Sequence, residues 1–334
     1  MRSWRGRERR QMSNKERFLW GASAAILVFL YLLSSTDLII KEKKKEIYPI
    51  SVIIEDTNDE YYANFRKGMD KAAEKLQADV SFITLYQENS EEEQMELLLR
   101  EVKDGARAVI LSPVNETGVV MRLDEAKPNC PVILLGSSLI DSSVAASISI
   151  DGYETGRLLG EEVAKREEAA VPIWLFSEGL SYTGNMDVYD GIRSVLDERG
   201  YSCRLIENKS EDTYRTAIEE MVYPGSKEAV IIALDVESLD IASSILEGST
   251  VYAGCVKGLY GVGSTTAILQ RLEKGIVKGL MAENRYNEGY LSIRSAVEAI
   301  QGGWTKSHIP VESFYIEGKD LRDPTYEKLL YPIE

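Results

Sequence analysis

The 334-residue sequence predicts an α/β protein: two doubly wound parallel-sheet lobes joined by a hinge and preceded by one transmembrane helix. Three observations carry this expectation. From Ile50 onward, short runs rich in Val and Ile alternate with segments of helical periodicity, the pattern of βα units around parallel sheets. The alternation comes as two series, roughly 50–150 and 150–283, each the size of one small doubly wound sheet. Ahead of both stands FLWGASAAILVFLYLL, Phe18 to Leu33, without a charge.

Ser34 to Ile40 extend that run to Lys41. At ~1.5 Å per residue, the stretch 18–40 is long enough for a hydrocarbon layer of ~30 Å. Arg2, Arg5, Arg7, Arg9, Arg10, Lys15 and Arg17 precede it, and only Lys41, Lys43, Lys44 and Lys45 follow. The positive-inside rule then makes 1–17 a cytoplasmic basic tail, 18–40 a single-pass anchor in the cell membrane, 41–46 a linker, and the rest extracytoplasmic. A cleaved secretory signal is the rival reading. Against it, the apolar run is long, LLSSTDLII offers no small-x-small cleavage site, and no cysteine precedes Cys130 to carry a lipid. An amphipathic surface helix fits less well, because the apolar residues are not confined to one face.

Residues 1–45 hold eleven Lys or Arg and four acids; subtracted from totals of 39 and 54, they leave 28 basic and 50 acidic residues beyond, a net charge of −22. A surface so acidic repels phosphate backbones, so no nucleic-acid partner is expected. Cys130, Cys203 and Cys255 are few, odd in number and widely spaced, which suggests neither a disulfide framework nor a zinc cluster. They read as small buried hydrophobes. The one histidine, His308, falls in GGWTKSHIP, which reads as a surface turn. No metal or other cofactor is implied.

Strands are expected at Ile50–Ile54, Val80–Leu85, Ala108–Ser112, Val132–Leu135, Val171–Phe176, Tyr201–Ile206, Ala229–Leu234 and Thr250–Ala253. Between the first two, Phe65, Met69, Ala72, Ala73 and Leu76 share one helical face. Ser90 and Glu93 read as a capping box ahead of Met95, Leu98, Leu99 and Val102, with Gly105 as the stop. In SIDGYETGRLLG, the passage between the two series, Gly156 and Gly160 permit close helix packing. A last amphipathic helix, Tyr290 to Ile300, ends at Gly302-Gly303. Gly258-Leu-Tyr-Gly-Val-Gly263-Ser264-Thr265 has the glycine spacing of a phosphate-binding loop, but Ser264 stands where that loop needs its lysine, so a flexible loop capped by Ser264 is expected.

Taken in order, ISVIIEDTNDEYYANFRKGMDKAAEKL, RAVILSPVN, PVILLGSS, SIDGYETGRLLGEEVA, VYDGIRSVL, AVIIALDVESL and AENRYNEGYLSIRSAVEAIQGG resemble the ribose-binding and galactose-binding type of periplasmic binding proteins, which share their fold with the core of LacI-type repressors. The likeness covers about residues 47–320. It implies an N-terminal lobe of 47–149 and 284–312, a C-terminal lobe of 150–283 and 313–334, and a small ligand, usually a sugar, held between them. The crevice outside the carboxyl ends of the strands is also where open α/β sheets bind ligands.

The resemblance further implies site residues. After the first strand, where relatives place a polar residue and aromatics flanking the sugar, stand Asn58, Asp59, Tyr61 and Tyr62; Tyr62 reads equally as a helix-packing aromatic. After the fourth, Ser137 and Ser138 replace the Asp-Arg pair of ribose-type members. The arginine of the second lobe falls on or beside Asn185-Met186-Asp187, leaving Tyr182, Asn185 and Asp187 as substitutes. Asp235 is placed as a hydroxyl acceptor and, equally, as an N-cap for the helix starting near Glu237. The aspartate after the next strand aligns near Cys255, and the hinge glutamine with Glu283.

The function implied is a membrane-anchored extracytoplasmic solute-binding protein, closing on a sugar or sugar-like polyol for an ABC importer or for a membrane histidine kinase that senses the bound form. Enzymatic glycoside processing is the other class, since Asp56, Asp59, Asp187, Asp235 and Glu283 include the paired carboxylates it needs; binding proteins of this fold use such acids as hydroxyl acceptors, and no catalytic role is expected. DNA binding fails because the apolar run occupies the place of a helix-turn-helix.

Overall fold

A computed structural model describes residues 13–35, 46–54, 59–87, 90–181, 184–210, 212–223, 228–303 and 307–330. The chain divides into two units, Met1–Glu46 and Ile47–Glu334. The first contains helix α1 (Asn14–Ser35). Its apolar side chains, Phe18, Leu19, Trp20, Ile26, Leu27 and Phe29 among them, are exposed. Among the described residues no helix is long and apolar enough to cross a membrane: α1 opens on Lys15, Glu16 and Arg17, and residues 36–40 of the expected span lie outside the described ones.

In the second unit, β1 (Tyr48–Ile54), α2 (Asp59–Leu76), β2 (Ala78–Thr84), α3 (Glu91–Asp104), β3 (Ala108–Leu111), α4 (Glu116–Ala126), β4 (Val132–Leu135) and β5 (Ala146–Ile150) form the first βα series. The second runs α5 (Gly152–Arg166), β6 (Ile173–Ser177), α6 (Asn185–Glu198), β7 (Cys203–Glu207), α7 (Thr213–Val222), β8 (Ala229–Ala233), α8 (Val236–Glu247), α9 (Thr250–Cys255), β9 (Val256–Val262), α10 (Thr266–Glu273) and β10 (Gly279–Glu283). Then come α11 (Arg285–Ile300), β11 (His308–Val311), β12 (Ser313–Ile316) and α12 (Pro324–Leu330). The sheets have orders β2-β1-β3-β4-β5-β11 and β7-β6-β8-β9-β10-β12, parallel throughout except that β12 runs against β10. Each is a doubly wound sheet whose strand order reverses beside its first strand.

Both faces of both sheets are covered, so the strands read as continuous apolar runs rather than alternating ones. Val52, Ile110, Ile133 and Phe65 pack on one face of the first sheet, and Ile53, Leu98, Leu111 and Leu134 on the other. In the second lobe Phe176 stacks on Tyr214 at 4.4 Å, and the buried phenol bonds the Ser238 hydroxyl at 2.7 Å. Each such fully buried large side chain contributes roughly 1.5–3 kcal/mol of transfer free energy.

Local signals behave as their chemistry requires, with exceptions. Ser90 caps α3 by accepting from the Glu93 amide, and Gly105 ends it at φ +109°. The Glu93 carboxylate, however, takes the amides of Tyr86 and Gln87 instead of completing a reciprocal box. Thr250–Ala253 is helical, not a strand: Ser249 accepts from the Tyr252 amide and starts α9, and the strand begins at Val256. A short apolar run does not distinguish the two states. The phosphate-loop look-alike is likewise no flexible loop, since 258–262 lies inside β9, where a Cβ on Gly261 would press on the Ala233 carbonyl, and α10 is capped by Thr265 rather than Ser264. His308 opens β11 and bonds the Ser149 hydroxyl at 2.9 Å instead of lying in a turn.

Candidate functional site

The chain passes between the sheets three times, at 150–152, 283–285 and 311–313. The passes are laced together: the Asp151 amide donates to the Val311 carbonyl, the Asn284 amide to the Glu312 carbonyl, and the hydroxyls of Thr155 and Ser313 lie 2.6 Å apart. The helix after each of the first two passes packs by backbone contact on a helix of the lobe the chain has just entered. A Cβ on Gly156 of α5 would fall on the carbonyl of Val188 in α6, and one on Gly289 of α11 on the carbonyl of Phe65 in α2. Both glycines stand five residues after their N-caps, Asp151 and Asn284, so the two lobes repeat one device.

At the second pass Glu283 ends β10 and pairs with Arg285 at 2.5 Å; the same guanidinium reaches Glu288 at 2.7 Å. Glu288 is 1 % exposed, and its second oxygen has no hydrogen-bond partner. Burial pushes its carboxyl above the usual range, Arg285 opposes that, and Glu283 adds to it. Desolvation wins because one guanidinium divides its charge between two carboxylates.

At the carboxyl edge of the second sheet, Asp235 caps α8 through the Ser238 amide at 2.8 Å, and its other oxygen takes the Glu178 amide at 2.9 Å and Asn185 Nδ2 at 3.2 Å. The buried Asn185 amide also donates to the Gly179 carbonyl at 3.0 Å. Glu207, at the end of β7, receives the Leu180 amide at 3.0 Å. The loop between β6 and α6 is therefore clamped from the strands on either side.

The sequence-derived site residues fall into distinct environments. Asp59 and Tyr61 stand in the first turn of α2, directly beyond β1, while Asn58 and Tyr182 lie outside the described residues. The Tyr62 ring meets Phe65 and Phe82 edge-on at 5.9 and 6.1 Å, in the apolar layer. Ser137 is buried and takes the Leu139 amide, whereas Ser138 is exposed. The Asn185 Nδ2 group bonds Asp235 and the loop backbone, and the Asp235 carboxylate serves the loop and the start of α8. Cys255 ends α9 at the amino end of β9, opposite the carboxyl edge where its alignment set it; the insertion of α9 displaced the strand. Glu283 is at the hinge, paired with Arg285.

Asp187, in the first turn of α6, has its carboxyl raised by burial and then by Asp190, Glu116 and Asp151. Glu116 belongs to α4, just beyond β3, so the carboxyl edges of the two sheets lie within each other's field. Glu178, the residue after β6, is raised by burial, Asp235 and Glu237. Sequence reading passed over Glu116, Glu178 and Glu288. For the first two a signal existed, a carboxylate just beyond a strand's carboxyl end; for Glu288 none did.

Residues 50–303 match the model of the periplasmic binding protein domain, and the chain belongs to that family. No curated protein matches the sequence significantly. Among solved structures, the glucose-galactose binding protein GanP of Geobacillus stearothermophilus is 18 % identical, with a TM-score of 0.71 over 83 % of this chain and 99 % of its own. An ABC transporter solute-binding protein of Agrobacterium vitis bound to α-D-tagatopyranose is 15 % identical, with a TM-score of 0.74 over 85 % and 99 %. One from Bacillus halodurans bound to myo-inositol is 18 % identical, with a TM-score of 0.69 over 85 % and 99 %. The fold is that of sugar-binding solute-binding proteins.

Proposed function

We propose that this protein is a membrane-anchored, extracytoplasmic, non-catalytic solute receptor that closes on a sugar or sugar-like polyol and presents it to an ABC permease. The observation that carries this reading is the three-pass hinge beneath two strand edges that sense each other's charge, an arrangement suited to enclosing one small ligand. The relatives with bound monosaccharides and inositol support the ligand class. The uncharged run from Phe18 and the exposed apolar flank of α1 support lipid as the surroundings of the N-terminal segment. That tether, together with the internal use of Asn185 and Asp235, also favours a second reading, in which the closed form is read by a membrane histidine kinase.

The test is a thermal-shift screen of the full-length chain against monosaccharides and inositols. A ligand at one hundred times its dissociation constant stabilises the bound form by ~2.7 kcal/mol, which a melting curve resolves. Silence across hexoses, pentoses and polyols at millimolar concentration would sink the sugar reading. Co-purification with a permease or with a kinase separates the two partners.

A further inference from the structure

The second pass between the sheets carries a group of charges that holding a neutral sugar does not by itself require. Arg285 joins Glu283, the last residue of β10 in the second sheet, to Glu288, which α11 buries in the first lobe. Their side chains are 14 % exposed for Glu283, 19 % for Arg285 and 2 % for Glu288, so with both acids ionised one negative charge is left in excess away from bulk water. Glu283 ends its strand at the carboxyl edge, where the resemblance sets the hinge residue that meets ligand, and it keeps some access to water. Glu288 as a whole is 1 % exposed, and one of its oxygens has no hydrogen-bond partner among the described residues. An ionised carboxylate sealed in this way is costly, and a proton removes the charge.

No other described charge takes over the part of Arg285. The helix α11 packs on α2 and on β1, β3, β4 and β5. Those strands bring no titratable side chain except Tyr48, at the far, amino end of β1. On α2, Arg66 lies over the Phe82 ring at 4.3 Å, and Lys67 and Asp70 are exposed. The neighbouring passes bring Asp151 and Glu312, both acids. Of these charges, only Arg285 and Glu283 act on Glu288, in opposite senses. Closing the lobes over a neutral sugar withdraws the water left at Glu283 and gives its oxygens hydroxyls to hold, which favours an ionised Glu283 with Arg285 to itself. The excess charge then falls on Glu288, which no ligand hydroxyl reaches, and protonation is the relief open to it.

We propose that closure on a neutral sugar is coupled to the uptake of one proton by Glu288, so that the protein holds its ligand more tightly as the medium becomes more acidic. This rests on the sugar reading above. The proton comes from the solvent and goes to the unpartnered oxygen, and no other covalent bond forms or breaks. The experiment is calorimetry on the detergent-solubilised full-length chain with D-glucose, D-galactose and myo-inositol, none of which titrates between about pH 5 and about pH 8, the range above an ordinary carboxyl. Each titration is run at several pH values and in two buffers of different ionisation enthalpy, for wild type and E288Q. Wild type should show a heat that differs between buffers in the sense of proton uptake, and a dissociation constant at least about threefold smaller at the acidic end, with about tenfold per pH unit as the limit for one proton. E288Q, neutral throughout, should bind at the alkaline end as tightly as wild type does at the acidic end, with the pH and buffer dependence gone; a residue that merely packs would weaken binding when changed. Should E288Q fail to fold, wild type must still show the uptake and E288M must lack it. Wild type with neither pH nor buffer dependence, or E288Q that keeps them, overturns the inference and leaves the sugar reading standing. No binding of any of the three overturns the inference, and silence across the wider screen takes the sugar reading with it.

Discussion

Glu288 shows how far a single buried charge is governed by its surroundings. Its carboxyl lies above the ordinary value of 4.5 because burial outweighs the partial attention of Arg285. An acid whose folded value is raised contributes stability that is full below the unfolded value and is lost as pH rises toward the folded one. Wild type measured against E288Q should therefore lose stability on going from about pH 4.5 upward, by at most about 1.4 kcal/mol per pH unit. Denaturant unfolding of both proteins at several pH values reads this directly; parallel curves would mean that Arg285 offsets burial and leaves the carboxyl unshifted, and a gain in stability with rising pH that it holds Glu288 ionised.

At the scale of elements, each lobe is held by the helix that follows a pass packing on a helix of the same lobe. The contact of α5 with α6, and of α11 with α2, runs backbone to backbone because Gly156 and Gly289 carry no Cβ where a carbonyl approaches. A carbonyl cannot move aside as the end of a side chain does, so G156A and G289A must spread their helix pairs. Overpacking of this kind costs about 1–3 kcal/mol. Each should lower the unfolding free energy by that amount in denaturant titrations, whereas G254A in α9, where a Cβ meets open space, should leave it within about 0.5 kcal/mol. Equal effects from all three would show that helix docking is not what makes the first two positions sensitive.

For the whole two-sheet unit, the passes at 150–152, 283–285 and 311–313 limit how the lobes can move, since three laced strands of chain permit rotation about a hinge more readily than sliding. Bound ligand is expected to compact the molecule in small-angle scattering. An unchanged profile, with binding shown independently by calorimetry, would replace hinge closure with a preformed pocket.

The periodicity from Ile50 to Glu283 was enough for the fold class, because a parallel strand buried on both faces must be an apolar run and its crossover helix must be amphipathic. Gly105 and Ser90 were legible for the same reason, their roles being local. Thr250–Ala253 was not: four residues of mixed apolar character satisfy a helix turn or a strand, and only the pairing of Val256–Val262 with β8 and β10 decides. The site divides in the same way. By itself the sequence put carboxylates, serines and tyrosines at strand ends, which follows from chain order. Whether an acid there faces ligand or serves the fold depends on which amides come within hydrogen-bond reach, and that is set by contacts between residues far apart in the chain: Asp235 with Glu178 and Asn185, and Arg285 with residues on both sides of a hinge. Tertiary structure alone assigned Asp235 to the loop and left one oxygen of Glu288 without a partner among the described residues, because a carboxylate has two oxygens to satisfy and no linear pattern records who satisfies them.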